Sequence, residues 1–192
     1  MSDAVVFLDL DNVCNDNAFI AAALAGHTAI VSWSMDLART TLDPVRVARV
    51  QRVCDAARAS VTIVSGWRRF APVEDIAACL RSAGLTAPVL GAVGGVKMSA
   101  DLRAEATRQW LAEHPEVTRW CVLDDARHAW MGRRSSGYSE RATDGRRVFV
   151  SEESEYVPAW FAGRLVVPVD GITDDDAARA LAILGGDLVG LR

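Results

Sequence analysis

The chain has 192 residues, 51% apolar and 24% charged, the composition of a globular protein and not of a disordered tail. That length predicts one domain over residues 1–192, and the formal charge of -4 argues against holding nucleic acid by bulk electrostatics. Cys14, Cys54, Cys79 and Cys121 form no C-x-x-C pair, which excludes a zinc knuckle and a thioredoxin-type motif and points to reduced, buried thiols.

The N-terminus lacks the basic and apolar regions of a signal peptide, and the apolar stretch from Ala18 to Val31 is too short to span a membrane and carries His27. The expectation is a cytoplasmic protein with no membrane partner. Val5-Val6-Phe7-Leu8 is the first predicted strand, closing on Asp9-Leu10-Asp11. Residues 12–42 read as a small flap or insertion, with alanine-rich helix around Ala18 to Ala25 and a hairpin near Thr28 to Trp33. Asp43-Pro44 is an N-cap followed by proline at the first helical position, and Val45, Val47, Val50 and Val53 supply the apolar stripe of a helix to about Arg58.

Val61 to Val64 is the second strand, running into Ser65-Gly66-Trp67-Arg68-Arg69. A helix from about Pro72 to Ser82 follows, with Gly84 as its stop, and Pro88 to Val93 is a third strand. Ser99 caps a helix that His114-Pro115 ends, and Arg119 to Leu123 is a strand that runs straight into Asp124-Asp125. The stretch 131–147, rich in Gly, Ser and Arg, reads as a flexible loop. Strands at Arg147 to Val150 and Leu165 to Val169 and a helix over Asp174 to Leu184, with Thr173 and Asp176 as its capping box, complete the chain. Strands alternating with helices imply an α/β fold, a doubly wound and mainly parallel sheet, which binds ligands at the carboxyl ends of its strands.

At those ends stand four acids, a hydroxyl and the single lysine, Lys97, of a chain with twenty arginines. Any one of these is most simply a solvated turn or a helix cap; their convergence on one sheet edge is not. Phosphoryl transfer needs a nucleophile, charge neutralisation, a metal and a proton shuttle. A carboxylate such as Asp9 is ionised at neutral pH and can attack phosphorus, and Asp11 can exchange a proton with the leaving oxygen and with water if its surroundings raise its pKa. Magnesium takes hard oxygen ligands, which Asp9, the backbone carbonyl of Asp11, Asp124 and Asp125 offer. Ser65 and the backbone of Gly66 offer donors to phosphoryl oxygens, and Lys97 a fixed positive charge.

Phe7-Leu8-Asp9-Leu10-Asp11-Asn12-Val13 resembles motif I of the haloacid dehalogenase-like (HAD) phosphohydrolases. Val64-Ser65-Gly66 resembles their motif II, Lys97 motif III and Val122-Leu123-Asp124-Asp125 motif IV, with Arg103 an alternative to Lys97. Ser65-Gly66-Trp67-Arg68, the Trp110 to His114 helix end and Val169 to Thr173 look like the small capless HAD domains of phage-type polynucleotide kinase-phosphatases and RNA-repair enzymes. The turn after Asp11 departs from the family, with Asn12 where glycine is usual.

The resemblance implies catalysis by Asp9, Asp11, Ser65 and Lys97, substrate contacts from Ser65, Gly66, Arg68 and Arg69, and Mg2+ held by Asp9, Asp11, Asp124 and Asp125. It implies a phosphomonoesterase working through an aspartyl-phosphate on polynucleotide ends or nucleotides, alongside a kinase or ligase. Roughly fifty residues between motifs I and II, and roughly thirty between II and III, leave little room for a cap. Trp67, Trp130, Tyr138 and Trp160 are candidates for stacking on bases, and Arg133, Arg134, Arg141, Arg146 and Arg147 for phosphate contacts. Two alternatives stand beside this reading: a small-metabolite phosphatase of the same class, and a receiver-like or other phosphate-binding domain without catalysis.

Overall fold

Strand β1 (Ala4–Leu8) is apolar throughout because it is covered on both faces: Ala4, Val6 and Leu8 enter one core, Val5 and Phe7 another. The computed structural model describes residues 2–25, 35–94, 103–130, 132–141, 147–156 and 158–186, with residue 128 and the segments 132–141 and 147–156 described by backbone alone. After β1 come helices α1 (Asn17–Leu24), α2 (Met35–Thr40) and α3 (Pro44–Ala57), strand β2 (Ser60–Ile63), α4 (Val73–Ser82), β3 (Val89–Ala92), α5 (Arg103–Glu113) and β4 (Arg119–Leu123). Strands β5 (Gly132–Arg141), β6 (Arg147–Tyr156) and β7 (Leu165–Val166) and helix α6 (Asp174–Ile183) complete the order.

Five of the strands form one parallel sheet in the order β3-β2-β1-β4-β7. The chain builds outward from β1 to β3, then returns to place β4 on the other side of β1. The crevice between β1 and β4 is therefore the switch point where doubly wound sheets bind ligands. A receiver domain has the order 2-1-3-4-5 instead, so the topology removes that alternative.

The first core packs β1, β2 and β4 against Val47, Val50 and Val53 of α3, Ile76 and Leu80 of α4, and Ala177 and Leu181 of α6. The second joins Val5 and Phe7 to Trp120, Val122, Trp130 and Phe161, with Trp110 of α5 edge-on to Phe7 at 5.4 Å. Trp130 is fully buried and stacks on Phe161 at 5.2 Å, and Trp160 lies 5.8 Å from Trp120, so both belong to this core and not to a base-stacking surface.

Local signals explain the boundaries. Asp43 accepts the Val45 N–H at 2.8 Å to cap α3, Gly84 stops α4 at φ 108°, and Thr173 and Asp176 form a reciprocal capping box on α6. All four cysteines are buried and free.

One expectation changes. Residues 132–141, read as loop, form β5, which pairs antiparallel with β6 and sets Arg133 opposite Glu155 and Arg141 opposite Arg147. A Gly-, Ser- and Arg-rich run has little strand preference of its own, and such preference yields to the pairing that a β-prone partner such as Arg147–Val150 offers. In the flap, residues 17–24 and 35–40 are helical; the hairpin expected near Thr28 to Trp33 lies outside the described residues.

Candidate active site

Register brings the site together. Leu8 of β1 is level with Ile63 of β2 and Leu123 of β4, so Asp9, Ser65 and Asp124 leave the sheet at one edge. The Asp9 N–H donates to the Leu123 carbonyl at 2.9 Å and the Val64 N–H to the Leu8 carbonyl at 2.9 Å, carrying the ladder to the first residue of each loop.

Asp9 and Asp124 are 3% and 0% exposed, and a buried carboxylate needs partners. Arg103, at the start of α5, provides them with one: its Nη1 donates to Asp9 Oδ2 at 2.7 Å and to Asp124 Oδ2 at 2.5 Å. The other oxygens accept backbone N–H groups, Asp9 from Leu10 and Asp124 from Ala126, both at 2.8 Å. Burial works against the charge on Arg103, yet Asp9 and Asp124 outweigh it and hold its pKa above the usual value. Lys97 and Ser99 lie outside the described residues; among the described residues the cation at Asp9 and Asp124 is Arg103.

Burial, with the charge of Asp9 next, pushes the pKa of Asp124 up to about 7, and Arg103 only partly offsets them. Folding thus makes Asp124 hold its proton more tightly than the unfolded chain, whose value is near 3.8. The metal-free fold loses stability as pH rises from about 4 through about 7, and a cation that replaces the proton reverses the loss. Urea melts should show metal-free protein weaker at about pH 8 than at about pH 5, and added magnesium stabilising chiefly at the higher pH. Equal stabilisation by magnesium at both values would contradict this.

Asp125 is half-buried, and Asp9, Asp124 and Asp125 each present an oxygen within 4.8 Å of the others. Hard carboxylate oxygens at that spacing suit a magnesium ion. Among the described residues, four acids against the buried guanidiniums of Arg103 and Arg68 give an excess of acidic groups, a poor place for a phosphate without a further cation. The Asp11 carboxylate stands outside the three-acid cluster, so its place in a metal site rests on its backbone carbonyl.

Asn12 accounts for the departure at motif I. Its backbone is left-handed, φ 53°, a region that asparagine tolerates better than other side-chain-bearing residues. It takes the turn where glycine is usual, and its Nδ2 donates to Asp125 Oδ2 at 3.0 Å. The Asn12 and Val13 carbonyls accept the N–H groups of Gly171 and Ile172 at 3.0 and 2.9 Å, tying the Val169 to Thr173 segment to this turn.

Ser65 is fully buried, and its hydroxyl accepts the Trp67 N–H at 3.3 Å, capping a single 3-10 turn, Gly66–Arg69. A Cβ on Gly66 would meet nothing within 4 Å, so the space above this backbone is open. Arg68 is 7% exposed, donates from Nη1 to the Val93 carbonyl and has no partner at Nε among the described residues. Burial, then the neighbouring Arg103, lowers its pKa to about 10, while Asp9 and Asp124 pull the other way. Arg69 is exposed.

Trp67, one of the candidates for stacking, is 3% exposed and donates its indole N–H to Asp11 Oδ1 at 2.9 Å. No sequence signal pairs residues 67 and 11. Asp11 itself sits at the open mouth of the site; desolvation on its inner side, with Asp9 and Asp125 adding to it, raises its pKa against the pull of Trp67 and, more weakly, of Asn15. His114 ends α5 and packs on Trp110; the side chains of His27, His128 and Tyr138 lie outside the described residues.

Residues 5–154 match a family model described as the HAD domain in Swiss Army Knife RNA repair proteins. The chain belongs to this HAD family. No curated protein and no solved structure gives a significant match. As a HAD domain it is of a phosphatase class that is generally magnesium-dependent, and its three-acid cluster fits such an ion. Among the described residues no helix is long and apolar enough to cross a membrane.

Proposed function

We propose that this HAD domain is a magnesium-dependent phosphomonoester hydrolase acting through an aspartyl-phosphate on Asp9, and that its substrate is a phosphorylated polynucleotide end. The observation that carries the chemistry is the pair Asp9 and Asp124, buried on adjacent strands and bridged by one guanidinium at the switch point of the sheet. In the first step a carboxylate oxygen of Asp9 forms a bond to phosphorus as the bond to the ester oxygen breaks, and Asp11 gives that oxygen a proton. In the second, water attacks phosphorus, its proton passes to Asp11, and the Asp9 carboxylate leaves. Asp9, Asp124, Asp125 and the Asp11 carbonyl would hold magnesium, which supplies the positive charge that lets a phosphate enter an acidic site. Arg103 and Arg68 neutralise phosphoryl oxygens, Lys97 is a further candidate for that role, and the Gly66 backbone and exposed Arg69 receive the substrate.

The substrate class is supported by the RNA-repair context of the family and by the small insertions around the site. With little insertion around the site to enclose a substrate, specificity falls to surface groups, and the five arginines from 133 to 147 follow motif IV in the sequence. Such a protein would work with a separate kinase or ligase in the cytoplasm. Phosphate release from a 3'-phosphorylated oligonucleotide, a mononucleotide, a sugar phosphate and an aryl phosphate tests this. The oligonucleotide should have the highest kcat/KM, by at least about tenfold, with that advantage shrinking as salt rises. A mononucleotide or sugar phosphate turned over faster would move the protein to the small-metabolite reading.

A further inference from the structure

We propose that Trp67 is a positioning residue, whose indole N–H holds the carboxylate of Asp11 in the orientation that meets the leaving-group oxygen. This rests on the reading above of Asp11 as the proton donor. Asp11 follows β1 on a turn that bends away at Asn12, where the backbone is left-handed, and the described backbone hydrogen bonds of that turn are made by its neighbours. Asn12 is held at both ends, its N–H by Asn15 Oδ1 at 2.8 Å and its Nδ2 by Asp125. The Asp11 side chain stands at the exposed mouth of the site, where an unheld carboxylate samples several rotamers.

The indole comes from the opposite wall and is itself fixed. The ring is buried, the backbone N–H of Trp67 donates to Ser65 Oγ, and the next residue, Arg68, is tied to the Val93 carbonyl at the end of β3. A 3-10 turn anchored at both ends therefore aims one rigid donor at Asp11 Oδ1 at 2.9 Å. With Oδ1 committed to the indole, proton exchange with the substrate falls to Oδ2. A buried tryptophan N–H needs a partner, and here the partner is an acid two residues from the nucleophile. Small displacements of a catalytic group cost rate steeply, so holding this one is a kinetic device and not only a packing contact.

The test removes the N–H and keeps the ring. Trp67→Phe, and separately the isosteric 3-benzothienylalanine at position 67, are compared with wild type on phosphate monoesters of graded leaving-group pKa. An alkyl phosphate needs a proton on its departing oxygen; a nitrophenyl phosphate departs with little help. The expected result is a fall in kcat/KM of about 10- to 100-fold for the alkyl ester and several-fold less for the nitrophenyl ester. In an Asp11→Asn background the Trp67 substitutions should cost almost nothing further, because the two side chains act as one unit.

An equal fall on both esters, no fall on either, or costs that multiply in the double variant would each overturn the proposal. Failure of the underlying reading has a different signature. If Asp11→Asn leaves the dependence on leaving group unchanged, Asp11 is not the proton donor. If Asp11→Asn steepens that dependence and both Trp67 substitutions leave it untouched, only the positioning role is lost.

Discussion

Asp9→Asn reduces phosphate release from every monoester substrate by about four orders of magnitude or more, with the fold intact. The substitution keeps shape and removes the charged nucleophile. The amide can still accept the Leu10 N–H through its oxygen, while Arg103 loses one of two carboxylate partners and keeps Asp124. Structure is therefore preserved where chemistry is not, which circular dichroism alongside single-turnover phosphate release will separate. Trapping should agree: wild-type protein quenched during turnover carries acid-stable but hydroxylamine-labile phosphate at Asp9, and the variant carries none. Activity within about tenfold of wild type would show that Asp9 is not the attacking group and that the aspartyl-phosphate route is wrong.

Arg103→Met destabilises the metal-free protein by about 3 kcal/mol at about pH 8, because it strips the shared cation from two buried carboxylates. The ion pair need not be strongly favourable for this to hold; the cost is that of leaving Asp9 and Asp124 buried and uncompensated. Without the pull of Arg103 the pKa of Asp124 rises further above its value of about 7, so protonation relieves part of the loss at about pH 5. Magnesium should restore much of the rest by occupying the same three acids. Urea melts at the two pH values, with and without the ion, read all of this, and a loss below about 1 kcal/mol at the higher pH would contradict the bridge. The same variant compared with Lys97→Met in turnover decides which side chain neutralises the phosphoryl group: the essential cation costs about 100-fold or more, the other little.

Much of the architecture is legible in the chain because it is written in local chemistry. The run Val5 to Leu8 is apolar without alternation, as a strand covered on both faces must be, and the structure covers it. Asp43-Pro44, Gly84 and the Thr173/Asp176 pair mark helix ends through backbone groups only a few residues away, and each does what its type predicts. The acids of motifs I and IV are likewise visible, since each closes an apolar strand, and strands that run parallel must bring such ends to one edge.

What the sequence by itself determined is therefore the strands of the parallel sheet, the principal helices and the list of groups at the sheet edge. Only the tertiary structure decided which of those groups touch. It joined Arg103 to Asp9 and Asp124 across 94 and 21 residues of chain, and Asn12 to Asp125 across 113. It made Trp67, a candidate for stacking, the partner of Asp11, and made a strand of residues 132–141 that no local preference favours. The physical reason is one of range. Caps, turns and hydrophobic periods are fixed by neighbours within a turn or two, whereas ion pairs, indole donors and strand partners are chosen among groups that meet only after the sheet has ordered them.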